Sequence, residues 1–338
     1  MSIHATDAPL EVFSTCPTMG GLDAGAYLRT VIDVARWSEE NGCKGILVYS
    51  DNSQLDAWTV SHAILQNTRT LCPLVAVQPV YMHPYTVAKT LATIGWLYGR
   101  RVYLNMVAGG FKNDLAALDD QTPHDQRYQR LAEYVHVITH LLAGAAPVSL
   151  AGQFYRVDKL KLTPPLAPEL QPGLFVSGSS EAGLAAARAI GATAIKYPRP
   201  AREESVVAAD GSFGIRVGII ARAREADAWD VAHARFPEDR KGQLTRQLAS
   251  KVSDSVWHKE LADRAERGET DRYWLVPFHN YQTMCPYLVG SYDQVGEELA
   301  RYLQAGHRTV ILDIPPSAEE LQHTNTAFAA ALEGVGAL

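Results

Sequence analysis

Cysteine is scarce in this 338-residue chain: Cys16, Cys43, Cys72 and Cys285 stand far apart, with no C-x-x-C pair. That spacing suggests neither a disulfide framework nor a zinc knuckle, and buried thiols are expected. No apolar run reaches the roughly 18 residues needed to span a bilayer. The opening MSIHATDAPLEV lacks the basic and apolar blocks of a signal peptide, so a cytoplasmic protein with no membrane partner is expected. Long basic runs are absent too, and the net charge of −6 argues against a nucleic-acid surface. The chain has no G-x-x-x-x-G-K-[ST] loop, no strand-borne G-x-G-x-x-G, and no G-x-S-x-G elbow around Ser179. His136 and His140 have metal-like helical spacing, but HVITH contains no acidic residue, and no metal is assigned.

At 47% hydrophobic and 20% charged residues, the chain can bury a large core, as one barrel-sized domain or two smaller ones. Apolar runs of strand length alternate with amphipathic helices almost end to end. EVFSTCP, GILVYSD, LVAVQP, VYLNMVAGG, LFVSGS, ATAIKYP, FGIRVGIIARA and TVILDIPP make eight strands. Eight strands with intervening helices and short connections favour a closed (β/α)8 TIM barrel over a doubly wound open sheet. We therefore expect a single α/β barrel domain over residues 1–338. It carries a hairpin and loop excursion near 148–172 and a charged helical insertion near 236–274. The insertion leaves the carboxyl end of a strand, where lids form, and also reads as a solvated helix pair. The segment RPAREESVVAADGS is too short for a full barrel helix.

In a barrel, the strand carboxyl ends line the site, which singles out Asp51, Asn105, Ser177 to Ser180, Tyr197, Arg216 and Asp313 by position. In LFVSGSSEAG a strand feeds a Gly/Ser turn into a helix, leaving N–H groups and hydroxyls to hold an anion. The same turn reads as a plain N-cap. Asn105 is an amide inside an apolar strand, and needs either a local partner or a ligand. His124 and Tyr128 lie one turn apart at a helix start; they could clamp a phosphate or ring, or simply cap and pack.

In order and spacing these segments resemble the bacterial luciferase-like flavin monooxygenases, most closely the alkanesulfonate monooxygenase branch. The carriers are Asp56-Ala57-Trp58, LNMVAGG, HDQRY, GQFYRVDKLKL, FVSGSSEAG, FGIRVGIIAR and PYLVGSYDQVGEEL with ILDIPP, covering roughly Leu10 to Leu332. The resemblance implies a barrel that binds reduced FMN, supplied by a separate NAD(P)H-dependent flavin reductase. It also implies oxygenation of a small molecule by O2 through a flavin peroxide, and a homodimer or dimer-based tetramer. Carried over, Asn105 and Ala108 would line the isoalloxazine, while His124, Tyr128, Ser179 and Ser180 would hold the phosphate.

One departure falls at the flavin ring, where a hydroxyl is lost at Ala108, and the others at the substrate end. Ala108 replaces a threonine, Gln54 stands where the branch has a cysteine, Gly218 replaces the histidine of R-x-H after Arg216, and Ile314-Pro315-Pro316 replaces G-Y-P. Cofactor chemistry retained with a different polar substrate is the expectation, with Gln54, Arg216, His279 and Tyr281 as candidate catalytic residues and Gln282 beside them. A deazaflavin- or flavin-dependent dehydrogenase or reductase and a non-catalytic flavin-binding barrel are the alternatives.

Overall fold

The computed structural model describes residues 10–207, 211–252, 256–266 and 272–336. Its strands are β1 (Glu11–Thr15), β2 (Gly45–Val48), β3 (Cys72–Val77), β4 (Tyr103–Met106), β5 (Val148–Ala151), β6 (Arg156–Leu160), β7 (Leu174–Ser177), β8 (Thr193–Lys196), β9 (Ser212–Arg222), β10 (Tyr273–Trp274), β11 (Tyr287–Ser291) and β12 (His307–Leu312). The parallel order β9-β12-β1-β2-β3-β4-β7-β8 closes on itself through a β8–β9 pairing, giving the expected eight-stranded barrel. Its strands are the eight that the apolar runs mark.

Helices α1 (Ala24–Glu40), α2 (Ala57–Asn67) and α3 (Pro84–Tyr98) follow the first three strands. Asp56 caps α2, its carboxylate accepting from the Thr59 N–H at 2.8 Å. Next come a short α4 (Lys112–Ala117), which the periodicity did not mark, and α5 (His124–Ala143). The excursion near 148–172 contains the antiparallel β5–β6 hairpin. After β7 comes α6 (Glu181–Ala189), and after β8, among the described residues, a single 3-10 turn at Ala201–Glu203 in place of a barrel helix, as the short segment implied. Then follow α7 (Glu225–Arg235), the insertion helices α8 (Arg240–Val252) and α9 (Val256–Glu266), α10 (Val276–His279), α11 (Tyr292–Gln304) and α12 (Ala318–Gly336).

Strand periodicity builds the interior. Side chains alternate faces along a strand, so Leu104 and Met106 pack under the helices while Tyr103 and Asn105 face the lumen. Phe13, Leu47, Leu74, Tyr103, Phe175, Ile195 and Ile311, from seven of the eight strands, close the lumen as an apolar floor. Phe13 lies edge-on to both Tyr103 and Phe175, with ring centroids 5.2 Å apart in each pair. Two residues further along, Tyr49, Ala76, Asn105, Ser177, Tyr197, Arg216 and Asp313 line an open cavity.

One element differs from expectation. β9 has eleven residues, more than the barrel uses. Its first half pairs β8 and β12, and its second half, Gly218 to Arg222, pairs β11 in parallel. β10 adds antiparallel to β11, so a small sheet stands off the barrel. The YLVGS run of β11 passes directly into its helix at Ser291, with no turn between them to mark it as a strand.

Phe13→Ala removes the ring at the centre of the floor, and about 3–5 kcal/mol of stability should go with it. Urea denaturation measures this; a loss below about 1 kcal/mol would show that the floor does not hold the barrel closed.

Candidate active site

The cavity at the strand carboxyl ends has a volume of about 670 Å³, within the usual range for small-molecule and cofactor sites. Of the ten residues singled out for catalysis or cofactor binding, nine line it: Gln54, Asn105, Ala108, His124, Tyr128, Ser179, Ser180, Arg216 and Tyr281. His279 is not among the lining residues; it is half-buried at the last position of α10, and Tyr281 and Gln282 reach the cavity instead.

At one end, two helix starts converge. Ser180 is the N-cap of α6, its Oγ accepting from the Gly183 N–H at 3.1 Å, so the plain cap reading of this serine holds. Its hydroxyl also hydrogen-bonds the Tyr128 phenol, which ties the two helix starts together. Tyr128 packs against this turn: a Cβ on Gly178 would stand 2.4 Å from its hydroxyl oxygen, so the turn tolerates no side chain there. Burial pushes the Tyr128 phenol up, and it remains a neutral donor. His124, the first residue of α5, lies edge-on to Tyr128 at 5.3 Å and bonds Asp125 through Nδ1 at 2.7 Å.

The start of α5 is held by Asp120. Its carboxylate takes two hydrogen bonds from Arg130, at 3.1 and 2.6 Å, and two from Thr122, at 2.6 and 3.2 Å. Burial raises this carboxyl, but the Arg130 and Thr122 hydrogen bonds outweigh it and hold the pKa down at about 2.

In the middle of the cavity, Asn105 Oδ1 accepts from Ser177 Oγ at 2.8 Å. Its partner is thus a side chain on the neighbouring strand β7 and not local backbone, and its Nδ2 has no hydrogen-bond partner among the described residues. Ala108 lies beside it, 5% exposed. Gln54 sits at the mouth and donates to Ser53 Oγ at 3.2 Å.

The far end is richer than the sequence showed. Arg216 and Asp313 face each other across 3.9 Å, with Tyr49, Tyr197, Thr283 and Met284 around them. Tyr281 has a left-handed backbone, φ 57°. It follows α10 as the Schellman residue: the Tyr281 N–H donates to the Phe278 carbonyl and the Gln282 N–H to the Pro277 carbonyl. Glycine is usual there, and a tyrosine held in this conformation marks a site where a side chain is needed. The insertion contributes Trp257 to the wall. Arg246, 5% exposed, lies 3.4 Å over the Phe278 ring; burial lowers its pKa to about 10, so it is a cation at neutral pH.

The family model for luciferase-like monooxygenases matches residues 10–309. The chain belongs to this family. It is thus an enzyme, a flavin-dependent monooxygenase by family. It is 33% identical over 318 residues to the 4-(gamma-L-glutamylamino)butanoyl-(BtrI acyl-carrier protein) monooxygenase BtrO of Niallia circulans, covering 91% of this chain and 92% of that one. Among solved structures, its fold is similar to the EDTA monooxygenase of Chelativorans sp. BNC1, with a TM-score of 0.71, 14% identity, and coverage of 97% of this chain and 95% of that chain. It is also similar to the coenzyme F420 dependent tetrahydromethanopterin reductase of Methanopyrus kandleri, with a TM-score of 0.65, 14% identity, and coverage of 97% and 100%. Among the described residues no helix is long and apolar enough to cross a membrane.

Because Asp120 is held near pKa 2, its contribution to stability is complete above its ordinary value near 3.8 and is lost as pH falls through about 2. Acid titration of wild type and Asp120→Asn, followed by circular dichroism, should give a steeper loss below about pH 4 for wild type; superimposable curves would refute the clasp.

Proposed function

We propose that the chain binds reduced FMN along the cavity and uses it with O2 to oxygenate a small polar organic substrate, the FMN arriving from a separate NAD(P)H-dependent flavin reductase. The observation that carries this reading is the convergence at one end of the α6 and α5 starts, the Ser179 and Ser180 hydroxyls, His124 and the Tyr128 phenol. A dianionic phosphate suits that set, since N–H and O–H donors with an imidazole can neutralise it without a lysine. The uncommitted Asn105 Nδ2 fits a flavin laid between phosphate end and floor.

In this arrangement Ser179, Ser180 and His124 hold the phosphate, and Asn105 Nδ2 donates to the ring while Ala108 offers a flat apolar contact. Bound FMN would supply the electrons and the place where oxygen reacts. Arg216, Tyr281 and Gln282 orient the substrate at the other end, Gln54 stands at the mouth, and Trp257 with the α8–α9 insertion excludes water as a lid. The relative from Niallia circulans acts on an acyl group, which puts acyl compounds first among substrates. A homodimer or dimer-based tetramer in the cytoplasm belongs to the same proposal.

A deazaflavin-dependent reductase is the second reading, favoured by the whole-chain fold likeness to the Methanopyrus kandleri enzyme. Equilibrium titration separates the two: FMN should bind more tightly than a deazaflavin coenzyme, and the reverse order would make the protein a hydride-transfer enzyme.

Ser179→Ala/Ser180→Ala should weaken FMN by about 1.5–3 kcal/mol for each hydrogen bond lost to the charged phosphate, and leave riboflavin nearly unchanged. Equal losses for the two flavins would reduce the turn to a helix cap.

A further inference from the structure

Arg216 and Asp313 reach the cavity from neighbouring strands, Arg216 within β9 and Asp313 directly after β12. A buried guanidinium beside a carboxylate ordinarily closes to a paired contact of about 2.7–2.9 Å. Here Nη2 and Oδ1 stay 3.9 Å apart, beyond hydrogen-bond reach. Arg216 is 6% exposed, yet its Nε and Nη2 have no hydrogen-bond partner among the described residues.

Both groups are held apart by their surroundings. Asp313 Oδ2 accepts from Thr283 Oγ1 at 2.6 Å and from the Tyr287 hydroxyl at 2.7 Å. Those two bonds fix the carboxylate and leave Oδ1 as the oxygen without a hydrogen bond among the described residues. On the other side, the Arg216 guanidinium lies 4.8 Å over the Tyr49 ring and 5.9 Å from that of Tyr197, where cation–π attraction holds it. The arrangement depends on Gly218: a Cβ there would stand 2.3 Å from the Tyr287 ring. The space that the R-x-H pattern gives to a histidine is filled from β11 by a tyrosine that grips Asp313.

We propose that Arg216 and Asp313 form a split receptor for an uncharged group carrying an acceptor and an N–H donor on neighbouring atoms, a carboxamide, with Tyr287 and Thr283 as its positioning residues. The guanidinium donates to the amide oxygen, and Oδ1 accepts from the amide N–H. The formal charges of the two residues cancel, so a carboxylate ligand gains Arg216 but meets the Asp313 anion, and an amine meets the reverse. This deepens the monooxygenase reading and rests on it: the substrate presents a carboxamide at the end of the cavity away from the phosphate cradle.

Ligand-observed NMR titration of the purified full chain, with and without FMN, tests this with hexanamide, hexanoate and hexylamine. Hexanamide should bind about tenfold more tightly than either charged probe, the order expected for one extra well-made hydrogen bond to a charged partner. Asp313→Asn leaves the Arg216 charge unopposed and should move hexanoate to first place. Arg216→Met should abolish hexanamide binding, and Tyr287→Phe should shrink the amide preference without changing FMN affinity. Hexanoate tightest in wild type, three equal affinities, no measurable binding, or an order unmoved by Asp313→Asn overturns the receptor. The flavin-free titration needs no cofactor, so failure of FMN binding with the amide order intact would remove the flavin reading alone.

Discussion

Closure of the barrel around a dry aromatic floor is the constraint on which the rest depends. Phe13, Tyr103 and Phe175 meet edge to edge in the lumen, so the space above them is sealed from below and opens only at the strand carboxyl ends. The two-residue strand period then decides which residues can do chemistry. In six of the seven strands the residue two positions beyond the floor enters the cavity, and those places hold two tyrosines, an alanine, an amide, a hydroxyl and a carboxylate. A buried amide or guanidinium is costly in an ordinary core; here each stands at the boundary between the floor and a ligand space.

The barrel was legible because its signal is local. Each strand is a short apolar run flanked by turn residues, and several helices carry their own caps, as α2 and α6 do with Asp56 and Ser180. The cofactor end was legible for the same reason: the LFVSGSSEAG turn and the His124/Tyr128 spacing are contiguous motifs, and the structure brings both to one end of one cavity.

The substrate end was only partly legible, because its relations are long-range. Arg216 and Asp313 could each be named by position, but their separation of 3.9 Å reflects Thr283 and Tyr287, which lie on a spur whose strand β11 no pattern distinguished. Gly218 read as a missing histidine; only the Tyr287 ring above it shows that the space is occupied. His279 was picked as a polar residue in a suggestive segment, yet the left-handed Tyr281 turns the chain so that positions 281 and 282 face the cavity.

The doubled length of β9 has a consequence for how such an enzyme can diversify. The end proposed to hold phosphate is lined by residues within 105–180, whereas the opposite wall comes mainly from 197–216 and 281–314. β9 belongs to the barrel along one half and to the spur along the other, so it works as a splice between the closed barrel and an attached sheet. Transplanting the spur from another member of the family, with β9 as the joint, would change what the cavity recognises and leave the other end of the machine as it was.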